Sequence, residues 1–384
     1  MGLYMSKHDY KQNAYYLMYL IRCALNDKVP AKEKLDKMDL SGVFAVAKAH
    51  SLTAIAAYAL ESAGIYDNAF EEEKNKAIRK EIILNAEREK VLAKLEKAGI
   101  WYMPLKGIII KDLYPQIGMR QMCDNDVLFD KAKIETLKHL MISLGFTMQH
   151  DDFGHDIVFT KQPLSNFEMH TALFGVGHDE VMNKHYDNIE SRLIKDDNNH
   201  YGYHFSIEDF YVFMIAHEHK HYNLGGTGLR SLVDTYVYIK NYGDKMDMQY
   251  IQNECQKLRI AEYEEQNRKL AMSVLKGKKL TDDYRKMLDY IVFSGTYGTV
   301  QNSVKNKLKK GNTSSFAKLN LIKNRLFVPI RKSDPQYKAY AARYKWFYKS
   351  KARVPLLFFY RIGVALTSRQ CRAKAELKAI FMAR

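Results

Sequence analysis

Apolar residues recur at helical spacing through residues 10 to 65, as in Tyr15, Leu17, Tyr19 and Leu20 and again in Val43, Phe44, Val46 and Ala47. This period predicts a helical N-terminal region. From Phe70 to Lys97, Glu and Lys or Arg recur at near i,i+4 spacing, while Ile78, Ile82, Ile83, Val91, Leu92 and Leu95 mark the opposite face. That is the pattern of one long charged helix. The period breaks at Ile100, and Ile100 to Leu105 reads as a strand ending at Lys106-Gly107, where a helix begins. A second strand-like run covers Asp124 to Phe129. A helix follows from Ile134 to Leu144, then a strand pair around Phe146 to Gln149 and Ile157 to Thr160, then a strand-like Phe167 to Leu173. From Ile207 the signal is helical again through about residue 294, broken by a loop at Leu224-Gly225-Gly226-Thr227-Gly228. Gln301 to Ser315, rich in Ser, Asn, Gly and Lys, reads as a linker. No internal repeat emerges.

These elements predict an α+β protein in which a small mixed β-sheet is flanked by helices, with helical N-terminal and C-terminal regions. The expected division is residues 1–97 as a helical region, 98–180 as the mixed core, 181–300 as a second helical region and 301–384 as a C-terminal segment. A length of 384 residues exceeds what a single core usually fills, and 47% hydrophobic residues with 27 tyrosines exclude a disordered chain. Cys23, Cys123, Cys255 and Cys371 lie far apart with no CxxC pair, so neither a zinc ribbon nor a disulfide framework is indicated. A reducing, cytoplasmic setting fits. No apolar run approaches the roughly 18 to 20 residues a spanning helix needs, and the N-terminus lacks the apolar stretch of a signal peptide.

The formal charge of +16 changes the picture once it is located. Residues 301–384 carry 21 Lys or Arg against only Asp334 and Glu376, a net of +19, so the first 300 residues are close to neutral. The tail interleaves its cations with Tyr337, Tyr340, Tyr344, Trp346, Phe347 and Tyr348 and then with Leu356 to Tyr360. Two readings stand. Either the segment docks on a polyanion, nucleic acid or an anionic membrane surface, which would make the protein peripheral at the membrane, or its aromatics pack helices while its lysines are merely solvated.

The chemistry concentrates between Met103 and Phe129. A strand ending at Lys106-Gly107 where a helix starts brings a lysine and free backbone N–H groups beside any bound phosphate. Asp124 and Asp126 are two residues apart at the head of a strand, so both carboxylates are expected on one face, an arrangement suited to Mg²⁺. Between them stands Asn125, which needs hydrogen-bond partners if it is buried.

Pro104-Leu105-Lys106-Gly107, Leu113-Tyr114-Pro115, Arg120 and Asp124-x-Asp126 occur in the order seen in uncharacterised bacterial nucleotidyltransferases. The chain resembles that family, which belongs to the DNA polymerase beta-like nucleotidyltransferase superfamily. The resemblance extends to Phe167-Glu168-Met169-His170, to His217 and His221 on a helix, to Arg230 through Asp234, and to Arg343-Tyr344 and Val354-Pro355-Leu356 through Arg361 in the tail. It implies Mg²⁺-dependent transfer of a nucleoside monophosphate from an NTP to an acceptor, with pyrophosphate released. Asp124, Asp126 and Glu168 would hold two Mg²⁺ ions, and Glu168 would take the proton of the attacking hydroxyl. Lys106, Gly107 and Arg120 would bind the nucleotide phosphates, while His170, His217 and His221 would face the substrate. The alternative is a protein that keeps this fold without turnover and binds nucleic acid or an anionic membrane through its basic tail. The sequence departs from the pattern in three ways: Asn125 replaces an apolar residue, the spacing from Gly107 to Asp124 is longer than the tight Gly-Ser to DxD spacing of the superfamily, and Lys106 stands where a Gly is classical.

A rival motif is His217-Glu218-His219-Lys220-His221, which satisfies HExxH on a helix. The extended form of that zinc motif fails, because Leu224 and Thr227 stand where Gly and His are required. A structural or substrate-facing histidine pair is the better expectation, with Asp234 a candidate to orient one of them.

Overall fold

The computed structural model describes residues 5–152, 156–175, 180–296, 298–310, 328–332, 337, 340–341, 344–367 and 378–380. The chain opens with α1 (Lys7–Leu25), α2 (Lys32–Leu35), α3 (Leu40–His50), α4 (Thr53–Ser62) and the 30-residue α5 (Asn68–Lys97). Polar residues fix the starts of three of these. Ser6, Asp39 and Asp67 each accept a bond from a first-turn amide, and Asp67 takes two, from Ala69 and Phe70.

The sheet region follows: β1 (Tyr102–Pro104), the single-turn α6 (Gly107–Ile110), β2 (Asn125–Phe129), α7 (Ile134–Ser143), β3 (Thr147–Asp152), β4 (Asp156–Lys161) and β5 (Ser165–His170). Its strand order is β1-β2-β5-β4-β3. β2 runs parallel to β5, and the other pairs are antiparallel. After it come α8 (Glu180–His185), a two-stranded ribbon of β6 (Ile194–Lys195) and β7 (Tyr203–His204), α9 (Ile207–Leu224), α10 (Leu229–Tyr242), α11 (Met248–Lys257), α12 (Ala261–Lys276), α13 (Asp282–Val292) and α14 (Val300–Lys310). In the tail, α15 (Lys345–Tyr348) and α16 (Val354–Thr367) pack together.

The two faces of the sheet belong to different cores. Val127, Phe129, Phe167 and Met169 point to one side, where Leu84, Val91 and Leu95 of α5 and Leu137 and Met141 of α7 close over them. Strand alternation sends Met103, Leu105 and Leu128 the other way, into a larger core shared by α1, α3, α4 and α9 through α13. The helices before and after the sheet are therefore packed against each other, and the sheet is set into them by one face.

The mixed α/β architecture and the order of helices and strands agree with the sequence. Some details differ. The short β6–β7 ribbon carries too few residues to leave a period. The strand expected from Phe167 begins at Ser165 and ends at His170. Within the stretch read as a linker, Val300 to Lys310 is helical, because Val304 and Leu308 find a small core with Ala379 and Ile380; residues 311–315, like Asp334, Arg343, Cys371 and Glu376, lie outside the described residues.

Candidate active site

Parallel pairing of β2 with β5 sets Asp126 directly opposite Glu168. Their side chains therefore emerge on one face of the sheet, and His170, two residues along β5, shares it. They open into a cleft of about 380 Å³ between the sheet, α9 and α10, lined also by Lys106, Gly107, Arg120, Asp124, His217, His221 and Arg230. Eight of the nine candidate residues thus line one cavity, and the ninth, His170, lies behind it on Asp126.

Asp126 is the hub. Lys106 Nζ donates to Asp126 Oδ1 at 2.8 Å, and His170 Nε2 lies 2.8 Å from the same oxygen. Burial alone would raise this carboxyl, but Lys106 and His170 outweigh it and hold the group well below the usual carboxylate range. An ionised carboxylate only accepts, so Nε2 of His170 carries the proton and donates. Reciprocally, burial works against the Lys106 ammonium, and the Asp126 charge more than offsets it and raises its pKa. Lys106 itself sits at φ 47°, a conformation L residues seldom adopt, at the turn between β1 and α6.

The other two carboxyls are under opposite pressure. Burial, followed by the charges of Asp126 and Asp124, pushes Glu168 up to about 7. Asp124 is also raised, by burial and then by Asp126. Crowded carboxylates that resist ionisation are groups a divalent cation would relieve, and oxygen donors of this kind suit Mg²⁺. Ligand atoms of Asp126, Glu168 and His170 lie within 4.8 Å of one another. Asp124 is not in that group: it precedes β2 rather than opening it, so strand alternation does not bind it to Asp126's face. The donor set fits a cation with Asp126 and Glu168 at its centre, Asp124 at the margin and His170 holding Asp126 in place.

Two residues expected at phosphates have structural partners. Arg120 Nε and Nη2 donate to Asp234 Oδ1 and Oδ2 at 2.9 and 3.0 Å, with both side chains 10% exposed. A Cβ on Gly107 would stand 2.5 Å from Arg120 Nη1, so Gly107 admits the guanidinium as well as lining the cleft. The free backbone N–H groups expected after Lys106 are largely consumed, since Ile108 donates to Leu105 O and Ile109 and Ile110 donate to Lys106 O. Side-chain charge, not a row of amides, is what this cleft offers an anion.

The HExxH helix does not build a zinc site. His217 and His221 do come together, with Nε2 atoms 3.3 Å apart, and burial followed by Lys106 lowers His217 well below the ordinary imidazole value. Glu218, however, turns into the core, where its Oε2 accepts from Thr235 Oγ1 and Asn267 Nδ2 at 3.3 and 3.2 Å. Among the described residues, neither histidine joins a group of three metal-ligating side chains. Among the described residues Asp234 bonds to Arg120 and to Tyr114, whose hydroxyl donates to Oδ1 at 2.7 Å, and not to a histidine.

Buried Asn125 is satisfied on both sides, donating to Leu84 O at 3.1 Å and accepting from Arg88 Nη1 at 3.3 Å. It faces α5, away from the cleft, and anchors β2 without touching the chemistry. The residue that sequence reasoning undervalued is Arg230. It reaches the cleft from the first turn of α10, beside the glycine loop, and its charge acts on Asp124.

A mixed sheet presents paired carboxylates beside a lysine and an arginine over a cleft walled by helices, a set of groups that could hold a divalent cation and an anionic ligand. Residues 36–276 match the family described as uncharacterised nucleotidyltransferase, and the chain belongs to that family. No curated protein and no solved structure matches the chain.

Proposed function

We propose that the protein transfers a nucleoside monophosphate from an NTP to a hydroxyl-bearing acceptor, with Mg²⁺ or a similar divalent cation at Asp126 and Glu168. The observation that carries this reading is the register of β2 against β5, which sets these two carboxylates side by side at a cleft that also receives Lys106 and Arg230. The sheet order, with its single parallel pair at the carboxylates, supports membership of the polymerase beta-like superfamily.

A bound cation pair would stabilise charge on the attacked α-phosphate and on the leaving pyrophosphate. Lys106 donates to Asp126 and can turn from that partner to a phosphate oxygen, delivering its charge where it is needed. Arg230, on the opposite wall, can grip a second phosphate oxygen pair. Glu168 would accept the proton of the acceptor hydroxyl as its oxygen bonds to the α-phosphorus and the bond to pyrophosphate breaks. His170 keeps Asp126 ionised and oriented.

The test is incubation with each α-labelled NTP, Mg²⁺ or Mn²⁺, and candidate acceptors, following label transfer and pyrophosphate. Both should disappear in Asp126→Asn and Glu168→Gln while the melting temperature holds. Absence of turnover together with absence of cation-dependent nucleotide binding would sink the proposal.

A further inference from the structure

Helix α16 exposes apolar side chains in an ordered way. Leu356, Phe359, Tyr360 and Val364 are 49%, 67%, 51% and 42% exposed. At 100° per residue they share an arc of roughly 140°. The opposite face does the packing: Val354 and Leu357 are buried, and the Arg361 guanidinium lies 5.4 Å from the Tyr340 ring centroid. Within the stripe Tyr360 also sets its ring 5.3 Å from that of Phe347, while Leu356, Phe359 and Val364 remain largely exposed. Immediately before it stand exposed Lys345, Lys349 and Lys351 and the half-exposed Trp346, in a segment of net charge +19.

We propose that α16 and the lysines preceding it dock the protein on an anionic lipid bilayer, the helix lying in the membrane plane with its exposed stripe in the upper acyl region. The described part of the helix, fourteen residues or about 21 Å, is short of the roughly 30 Å hydrocarbon core, which suits a helix lying on the bilayer. Among the described residues, no helix is long and apolar enough to cross one. An apolar stripe bordered by lysines and a tryptophan matches an interface of acyl chains, headgroups and negative surface charge. Nucleic acid fits less well, because Leu356 and Val364 offer no ring on which a base can stack. A second copy of the chain would bring its own excess of positive charge against this one. The proposal is independent of the nucleotidyl-transfer reading.

The experiment uses the full-length protein carrying Trp101→Phe, which leaves Trp346 as the one fluorophore of its kind, and vesicles of phosphatidylcholine alone or with about 30% phosphatidylserine. Co-sedimentation with the anionic vesicles only is expected, with a blue shift of Trp346 emission and about tenfold weaker binding between low and physiological salt. Leu356→Ser with Phe359→Ser should weaken binding at least tenfold with unchanged far-UV circular dichroism, and Lys345→Glu, Lys349→Glu and Lys351→Glu together should abolish it. Equal binding to neutral vesicles, or no loss in the Ser variant, overturns the proposal. So does a single-stranded RNA or DNA that binds through the same lysines while vesicles do not, or a dimer in sedimentation velocity that the Ser variant dissolves.

Discussion

Arg120 and Asp234 form a two-pronged ion pair, Nε to Oδ1 at 2.9 Å and Nη2 to Oδ2 at 3.0 Å, that ties the loop before β2 to α10 across the floor of the cleft. Tyr114 completes it by donating to Oδ1 at 2.7 Å. A guanidinium committed this way shapes the site more than it binds ligand, and the freer cation on that wall is Arg230.

Removing one partner leaves the other charge buried. Asp234→Ala is expected to cost about 3–5 kcal/mol in urea unfolding, and Arg120→Lys, which cannot reproduce the fork, should cost a substantial part of that. Arg120→Met combined with Asp234→Leu should cost less than Asp234→Ala alone, because the pair is replaced and not broken. If Asp234→Ala unfolds at the same urea concentration as the parent, the pair is not structural.

His50 provides a second long-range tie. Its Nδ1 accepts the amide of Leu229 at 3.1 Å at the start of α10, where Gly228 offers no side-chain cap, and its Nε2 lies 3.1 Å from Val292 O. The ring is therefore neutral with the proton on Nε2, and burial lowers it to about 4. Between pH 6.5 and 4 the unfolded chain holds a proton on this ring and the folded chain does not, so stability falls as the pH is lowered through that window. The loss from His50 should reach about 3 kcal/mol near pH 4. His50→Asn keeps an acceptor for Leu229 and removes the titration. Its urea midpoint should be lower at pH 7 but change less between pH 7 and 5; a parallel decline in both proteins would exclude His50 as the cause.

Period and spacing made most of the architecture legible, because α5 and the long helices after the sheet carry apolar residues at helical spacing, while β1 and β2 are short runs buried on both sides. The carboxylates were legible too, but the face each occupies was not. Asp126 and Glu168 meet through a parallel pairing that no local pattern encodes, and Asp124 falls one residue short of the strand. Arg120 was legible as a site residue while its partner, 114 positions away, was not. The same holds for Gln121, whose Oε1 accepts from Thr53 N at 2.8 Å and so caps α4, a helix whose own N-cap, Leu52, makes no side-chain bond. Polar groups satisfied across the chain leave no period to read, and the core joining the first and second helical regions is of the same kind.

Lys106 occupies the Asp126 oxygen that the proposed divalent cation would take. Lys106→Met should therefore raise cation affinity in the absence of nucleotide about tenfold, the worth of one charge-assisted bond, while weakening NTP binding by a similar factor. Calorimetric titration with Mn²⁺ and then with NTP separates the two effects. A fall in cation affinity would mean that Lys106 organises Asp126 for the metal and does not oppose it.

Glu218 carries a penalty that rises with pH. Burial, followed by the nearby Asp234 charge, pushes its carboxyl up to about 8. Between pH 4.5 and 8 the folded protein keeps this proton while the unfolded chain has released it, so stability falls as the pH rises, by about 3 kcal/mol at pH 7. Glu218→Gln preserves an acceptor for Thr235 and Asn267 without the charge. Its urea midpoint should lie near the parent's at pH 5 and pull ahead steadily to pH 8, opposite in direction to the His50 effect and separable from it. A gap that stays constant with pH would show that Glu218 is already ionised in the fold, paired by a charge the static contacts do not reveal.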